Sequence, residues 1–303
     1  MDVFLELYKS LFPYLLFIPL GYWVNKKEWV PKPWITKPLI YGFMPVLVIN
    51  HVLEADALKL TILPIISFLL ASAMILPARL AYRKIPKADE PFLLESSFSF
   101  FNVAFFGIPV VTALFGEEGV TTLICIYVGT ALYGNTIGYF QVAKSKFSTR
   151  EAIAKIFKIP FLYVFLFALG LKFFEVETPD PLTPVVDVFS VVVSAGGMMM
   201  VGMNVLKVDF KALDKKYFTK ILSLRMVSAV LIMGLLLLLE YWLIDRLEEE
   251  DRQMLALIPF FPVAANVTVY ASFLESKEEQ SGLLVLLTVV ISLVFVPLVA
   301  MWF

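Results

Sequence analysis

The sequence has few of the residues on which most soluble enzymes and disulfide-linked proteins depend. Of 303 residues, one is cysteine and one is histidine, and only 17% are charged. The single cysteine, Cys125, excludes an internal disulfide and any metal site built from several cysteines. The 25 basic and 26 acidic residues give a net charge of -1. This balance, and the lack of a nucleic-acid-binding motif, argue against nucleic acid as a partner.

Motifs of intramembrane enzymes are also missing. The chain contains no HExxH, no Gly-x-Ser-x-Gly and no pair of aspartates within an apolar stretch, and these are the patterns that metalloproteases and serine hydrolases require. We therefore predict no enzyme activity, no catalytic residue, no metal and no cofactor.

Hydrophobic residues make up most of the chain. They account for 60% of it, and the mean hydropathy of +0.84 is far above that of a soluble domain. A membrane-spanning helix needs about 20 apolar residues, and clusters of turn-forming or charged residues divide the sequence into ten such segments. These are residues 5–24, 36–53, 58–80, 92–116, 119–142, 159–174, 182–206, 218–244, 254–274 and 280–302. The composition thus predicts an all-α polytopic membrane protein.

The placement of basic residues predicts the orientation. Twenty of the 25 lysines and arginines lie in the odd-numbered connections between these segments, counting two that lie just inside a helix. Because cytoplasmic loops are enriched in lysine and arginine, we expect a multi-pass protein of the cell membrane with both termini outside.

A basic connection at residues 146–158 divides the chain into two halves, residues 1–145 and residues 159–303, with five predicted spans each. An odd number of spans per half forces the halves into opposite orientations, so any internal repeat must be inverted. The matching strings FFNVA at residues 100–104 and FFPVA at residues 260–264 are a trace of such a repeat.

Two predicted spans are interrupted near their middle. Residues 99–116 contain Asn102, Gly107 and Pro109, and residues 259–270 contain Pro262 and Asn266. At about 1.5 Å per residue, each asparagine lies roughly 16 Å from its helix entrance, near the middle of a core about 30 Å thick. Broken helices whose N-termini meet at the bilayer centre are typical of transport sites. Kinks that serve only packing are the alternative.

These strings resemble a known family. Residues 102–109, NVAFFGIP, are similar to the fourth-helix motif of the auxin efflux carriers, and residues 262–266, PVAAN, are similar to their ninth helix. The resemblance implies ten helices in two inverted five-helix repeats, with broken helices four and nine crossing, and efflux or exchange of small organic anions. It also implies a homodimer, and a substrate site framed by Asn102, Pro109, Pro262 and Asn266. The short link between the halves indicates a compact prokaryotic-type member and puts auxin in doubt as the substrate.

Polar residues on two other helices are further candidates for the substrate site. Tyr127 belongs to a stripe of polar and small residues on predicted helix five, and Ser194 belongs to a similar stripe on helix seven. Small-residue faces most often mean close helix packing, and a cavity lining is the alternative. We include both residues, with Gly107, among the predicted substrate-binding residues.

Ionisable residues inside a membrane are functional candidates. Four lie within a turn or so of a predicted interface, where their side chains could reach water: Glu95, Asp187, Arg225 and Glu240.

Two ionisable residues are candidates for coupling or gating. Glu95 could be a solvated carboxylate at a helix entrance, or it could begin a polar track through Ser99 and Asn102, which follow it at i+4 and i+7. His51, at the outer end of helix two, could sense pH or be structural. No carboxylate lies at the predicted crossover, so the sequence does not support coupling to sodium or protons there.

The leading prediction is a secondary transporter of a small carboxylate, working in a lipid bilayer by alternating access. A sodium-coupled organic-anion symporter of the bile-acid-transporter type is an alternative within transport. A membrane receptor that binds a ligand without moving it is an alternative from another class.

Overall fold

A computed structural model describes residues 2–85, 91–179, 182–204, 214–268 and 278–303. In these residues the chain is almost entirely helical, and its only strand-like feature is an isolated antiparallel bridge between Phe101 and Val263. The helices are α1 (Asp2–Leu15), α2 (Phe17–Lys26), α3 (Lys32–Pro38), α4 (Met44–Glu54), α5 (Lys59–Ala73), α6 (Ile75–Lys84), α7 (Pro91–Ser99), α8 (Gly107–Phe115), α9 (Glu118–Tyr133), α10 (Tyr139–Lys144), α11 (Thr149–Ile156), α12 (Pro160–Phe173), α13 (Thr183–Asn204), α14 (Lys215–Leu243), α15 (Glu249–Leu257) and α16 (Glu278–Ala300).

Several helical runs are long and apolar enough to cross a membrane. Within the described residues there are six: Lys32–Glu54, Ala57–Lys84, Glu118–Lys144, Thr183–Asn204, Lys215–Leu243 and Gln280–Ala300. The pair formed by α11 and α12, bent by 45°, adds a seventh if it counts as one span. The predicted class, a helical multi-pass membrane protein, agrees with this architecture. The described parts of the remaining predicted spans contain shorter helices.

The helices pack as two groups that touch each other. In one group α2 and α4 pack against α13, and α12 packs against α4. In the other group α5 packs against α9, α6 packs against α7, and α14 packs against α5, α6 and α15. Contacts of α1 and α13 with α8, and of α4 with α9, join the two groups. The interrupted segments belong to the second group and lie where it meets the first.

Two glycines bring α2 and α13 into backbone contact. A Cβ atom on Gly21 would lie 2.0 Å from the carbonyl oxygen of Met199, and one on Gly202 would lie 1.8 Å from that of Ile18. Real Cβ atoms do not approach backbone oxygens this closely, so any other residue would push the helices apart. Close approach through small residues is the usual way in which membrane helices gain packing energy.

We expect Gly202→Ala to lower the thermal midpoint of the detergent-solubilised protein, because the added methyl group collides with rigid backbone rather than with a movable side chain. Gly234→Ala in α14 is the matched control, since a Cβ at Gly234 meets nothing within 4 Å. Removing a helical glycine there should stabilise the protein by up to about 1 kcal/mol. Equal midpoints for the two variants would contradict the close approach of α2 and α13.

Candidate functional site: a crossing of two interrupted helices

The two interrupted segments meet through their backbones. The Asn102 amide donates to the Pro262 carbonyl at 2.8 Å, and the Ala264 amide donates to the Phe100 carbonyl at 3.2 Å. The chain between α7 and α8 therefore runs antiparallel to the chain that follows α15 and a short 3₁₀ turn at Ile258–Phe260. The predicted contact between the two breaks is present in the structure.

A third helix completes the backbone pairing at the crossing. The Val263 amide donates to Thr288 Oγ1 of α16 at 3.0 Å, and the Thr288 hydroxyl lies 2.8 Å from the Val285 carbonyl of its own helix, to which it donates. A buried amide without a partner costs roughly 1–3 kcal/mol, and more where lipid replaces water. Thr288 thus supplies an acceptor that neither interrupted segment can provide.

A buried arginine holds the ends of both interrupted helices. Arg225 Nε donates to the Ser97 carbonyl at 2.9 Å, and its Nη1 donates to the Phe261 carbonyl at 3.4 Å. The guanidinium carbon also lies 4.5 Å from the centre of the Phe101 ring. Helix C-termini carry partial negative charge, so this cation lies where two such ends converge. Its Nη2 atom has no hydrogen-bond partner in the part of the chain that the structure describes.

The placement of Arg225 corrects the sequence-based expectation. Arg225 is only 3% exposed and does not lie at an interface where its side chain could reach water. It is in the third turn of α14, which begins at Lys215, so it lies about 15 Å along the helix at about 1.5 Å per residue. The sequence contained a usable signal, because an arginine in an apolar run is a functional candidate.

A cavity of about 100 Å³ lies beside the crossing. Three phenylalanines line the cavity, together with polar groups from both interrupted segments and from the helical run that contains α9. The polar side chains are those of Asn102, Tyr127, Thr130, Asn135 and Asn266, and the phenylalanines are Phe100, Phe101 and Phe105. The residues just before α8 and those around Asn266, where the chain turns helical again, thus face one space.

The structure brings together three of the seven predicted substrate residues. Asn102, Tyr127 and Asn266 all line the cavity, although Asn102 and Asn266 are separated by more than half of the chain. Asn102 is buried, and its Nδ2 atom lacks a partner among the described residues. Asn266 is exposed. One amide therefore lies deep in the cavity and the other lies toward its opening.

The other four predicted substrate residues are outside the cavity lining. A Cβ on Gly107 would lie 2.8 Å from the Phe261 ring, so this glycine makes room for packing. Pro109 is buried in α8, and Pro262 acts through its carbonyl in the crossing. Ser194 is fully buried in α13.

The stripe of polar and small residues on predicted helix five consists of Tyr127, Thr130, Gly134, Gly138 and Gln141. In the structure some of these residues serve helix packing and others line the cavity. A Cβ on Gly134 or Gly138 would lie 2.4 or 2.7 Å from the Phe100 ring, so these glycines accommodate that ring. Thr130 lines the cavity together with Asn135, which regular helical spacing did not predict. The residues Gly134–Gly138 form a π-helical turn, and the extra residue in this turn shifts the register of the helix face.

The predicted gating residue His51 joins two helices near the C-terminal end of α4. Its Nδ1 atom lies 3.1 Å from Thr121 Oγ1 of α9 and 3.3 Å from Glu54 Oε2. This supports a structural role for the ring, and a role in gating stays a prediction. Nearby, burial and the negative charge of Asp187 raise the pKa of Glu117 above its ordinary value.

Two of the carboxylates expected at interfaces are buried. Glu95 is 4% exposed and accepts a 2.7 Å hydrogen bond from Arg79 Nε, so the interpretation of Glu95 as a solvated carboxylate is wrong. Glu240 is also buried and accepts a 2.9 Å bond from Arg252 Nε. Asp187 alone of the three is exposed, as expected.

No protein-family model matches the chain, and no curated protein matches it either. The resemblance to auxin efflux carriers therefore stays a prediction that rests on residues 102–109 and 262–266. Among the described residues, no group of three or more histidine, cysteine, aspartate or glutamate side chains is placed to hold a metal ion.

We expect Thr288→Val to destabilise the protein by about 1–3 kcal/mol, because the buried Val263 amide would lose its acceptor. Ser292→Ala is the matched control: Ser292 lies one turn further along α16, is equally buried, and donates only to the Thr288 carbonyl. Chemical denaturation in detergent measures the difference, and hydrogen exchange at Val263 should be faster in Thr288→Val alone. Unchanged exchange there would contradict the hydrogen bond.

Proposed function

We propose that this protein is a secondary transporter that exports or exchanges a small organic anion by alternating access. The observation that carries the proposal is the pairing of two interrupted helices beside a cavity into which Asn102 and Asn266 both project. Non-helical backbone inside a membrane is tolerated where it is buried in protein or lines a water-filled space. In transporters, such interruptions form the substrate site.

Three features of the crossing favour an anion. The cavity is bordered by the residues that precede α8, and helix N-termini carry partial positive charge and free amides. The amide groups of Asn102 and Asn266 can donate to a carboxylate. Arg225 places a fixed positive charge behind the Phe101 ring, which itself lines the cavity.

The cavity size favours a small substrate. Its volume of about 100 Å³ is well below the roughly 300–1,000 Å³ of sites for drug-sized ligands. A short mono- or dicarboxylate fits such a volume better than an indole acid does. The aromatic walls would contact the carbon chain while the amides bind the carboxylate.

The wider architecture belongs to the same proposal. We propose ten spans in two inverted five-helix repeats, as in the auxin efflux carriers that residues 102–109 and 262–266 resemble, with both termini outside and a homodimer formed through the scaffold. The group of helices that contains the crossing would move against a scaffold of α1–α4, α12 and α13. The contacts of α8 and α9 with that scaffold would be remade during transport.

A ligand screen followed by transport assays tests this function. The purified protein is heated with malate, other dicarboxylates, monocarboxylates and indole acids, with and without sodium, and the acid that most raises the thermal midpoint is used in proteoliposomes. We expect Asn102→Ala and Asn266→Ala to abolish its uptake while leaving the unfolding midpoint without ligand unchanged.

Each alternative gives a different result in the same assays. Full transport by both variants would remove the crossing from the mechanism. Binding without uptake would favour a receptor, and binding that needs sodium would favour a sodium-coupled symporter. Asn135→Ala is a useful companion variant, because Asn135 lines the same cavity from another helix and should weaken binding without abolishing transport.

We expect Arg225→Gln to weaken binding of the same acid about tenfold, because the loss of an opposite charge near a bound carboxylate costs on the order of 1–2 kcal/mol at an effective dielectric constant near 20. Binding of the uncharged amide of that acid should not change. Arg83→Gln, which removes an exposed charge from α6, is the control. Equal losses for the acid and its amide would show that Arg225 shapes the site without acting through its charge.

A further inference from the structure

The two oxygens of the buried Glu95 carboxylate differ in their hydrogen bonding. Oε1 accepts the hydrogen bond from Arg79 Nε, whose side chain is 57% exposed, whereas Oε2 has no partner among the described residues. Burying a charged group in a membrane protein costs free energy, and here a hydrogen bond to only one of the two carboxylate oxygens offsets that cost. Protonation would remove the charge and give Oε2 a hydrogen to donate.

Further unpaired polar atoms continue from Glu95 toward the crossing. Ser99 lies one turn further along α7, at its last residue, and Asn102 follows in the non-helical chain beyond it. Both Ser99 Oγ and Asn102 Nδ2 are buried without a partner in the described chain. Tyr133 of α9 is also fully buried, and its hydroxyl interacts with that of Ser99, although within the described chain the two do not reach the geometry of a regular hydrogen bond. It lies close to Ser99 and within electrostatic range of Glu95. We call these four residues the polar track.

Other serines on α7 behave differently. The hydroxyls of Ser96 and Ser97 donate to the carbonyls four residues earlier, at 2.9 and 2.8 Å. Burial alone therefore does not leave a serine on this helix unpaired. Each unpaired buried polar group costs roughly 1–3 kcal/mol, and such groups usually have a partner in protein or ordered water. These groups lie between Glu95 and the cavity, where a path for water or a proton would have to run.

The polar track reaches the substrate cavity. Asn102 lines the cavity, and so does Phe100, whose ring lies 5.9 Å from that of Tyr133. Among the described residues, the charged and titratable groups that face Glu95 are Arg79 from α6 and Tyr133 from α9. Arg225 from α14 bonds to the Ser97 carbonyl, two residues along α7, and forms no ion pair with Glu95. The described parts of α5, α10 and α16, which also pack on α7, add no ion pair to it.

We propose that Glu95 is a proton-binding site coupled to the cavity through the polar track, so that an anion and a proton bind together. The reaction is the protonation of the Glu95 carboxylate, with the proton taken from water. An anion in the cavity repels a carboxylate across a medium of low dielectric constant, so its binding favours the protonated form. The coupling rests on the proposed transport function, whereas proton binding by Glu95 does not.

Infrared spectroscopy tests the proton site without any ligand. We expect the wild-type protein to gain the carbonyl stretch of a buried protonated carboxylic acid as the pH falls, and Glu95→Gln to lack this band. Glu240→Gln is the matched control. Glu240 is also buried, but both of its oxygens are hydrogen-bonded, to the Arg246 and Leu247 amides and to Arg252, so that variant should keep the band.

The same spectra can overturn the proposal. A band that persists in Glu95→Gln belongs to another carboxyl group, and no band in the wild type at any pH at which the protein stays folded means that Glu95 does not bind a proton. Either result removes Glu95 as the proton site.

Proton uptake on adding malate, or the best acid from the screen, tests the coupling. In weakly buffered detergent solution with a pH indicator, we expect uptake of about one proton per bound anion. Uptake should be lost in Glu95→Gln and reduced in Ser99→Ala and Tyr133→Phe. Ser97→Ala, whose hydroxyl bonds only within its own helix, should behave as wild type. Binding without proton uptake overturns the coupling but does not affect the transporter proposal. Failure of every acid to bind removes the transporter proposal, and the infrared spectra then decide whether Glu95 binds a proton.

Discussion

The two hydrogen bonds that join Asn102 to Pro262 and Ala264 to Phe100 satisfy backbone groups that neither interrupted helix can satisfy within itself. In a membrane such groups must find partners in protein or in enclosed water, so each interruption is tolerable only because the other lies across from it. Thr288 and Arg225 complete the arrangement by accepting from one amide and donating to two carbonyls.

The electrostatics of the crossing follow from the same geometry. Two helix ends with negative partial charge converge on one side, and Arg225 lies there with no carboxylate partner among the described residues. On the other side the chain turns helical again beside the cavity, where partial positive charge is available to a ligand. The cation thus compensates one pair of helix ends, and an anionic ligand would compensate the other. The Nδ2 atom of Asn102, which has no hydrogen-bond partner among the described residues, can donate to such a ligand.

Much of this arrangement could be predicted from sequence. Asparagine, glycine and proline within apolar segments marked both interruptions, and counting residues from each helix entrance placed Asn102 and Asn266 at similar depth. The same counting failed for Arg225, because α14 begins earlier than hydropathy indicates. It could not detect Asn135 either, since a π-helical turn changes which residues share a face. Pro109 and Ser194 have suitable chemistry but point into packed interior.

The sequence by itself determined the helical membrane class and the places where helices are interrupted, because hydropathy and backbone propensity are local properties of the chain. Only the tertiary structure decided which polar groups are paired, since the partners are often more than 100 residues apart, as Arg225 is from Ser97. Glu95 and Glu240 illustrate the difference. Both are buried carboxylates near helix ends. Among the described residues, the groups packed around Glu95 leave its Oε2 atom without a partner, whereas those around Glu240 satisfy both of its oxygens.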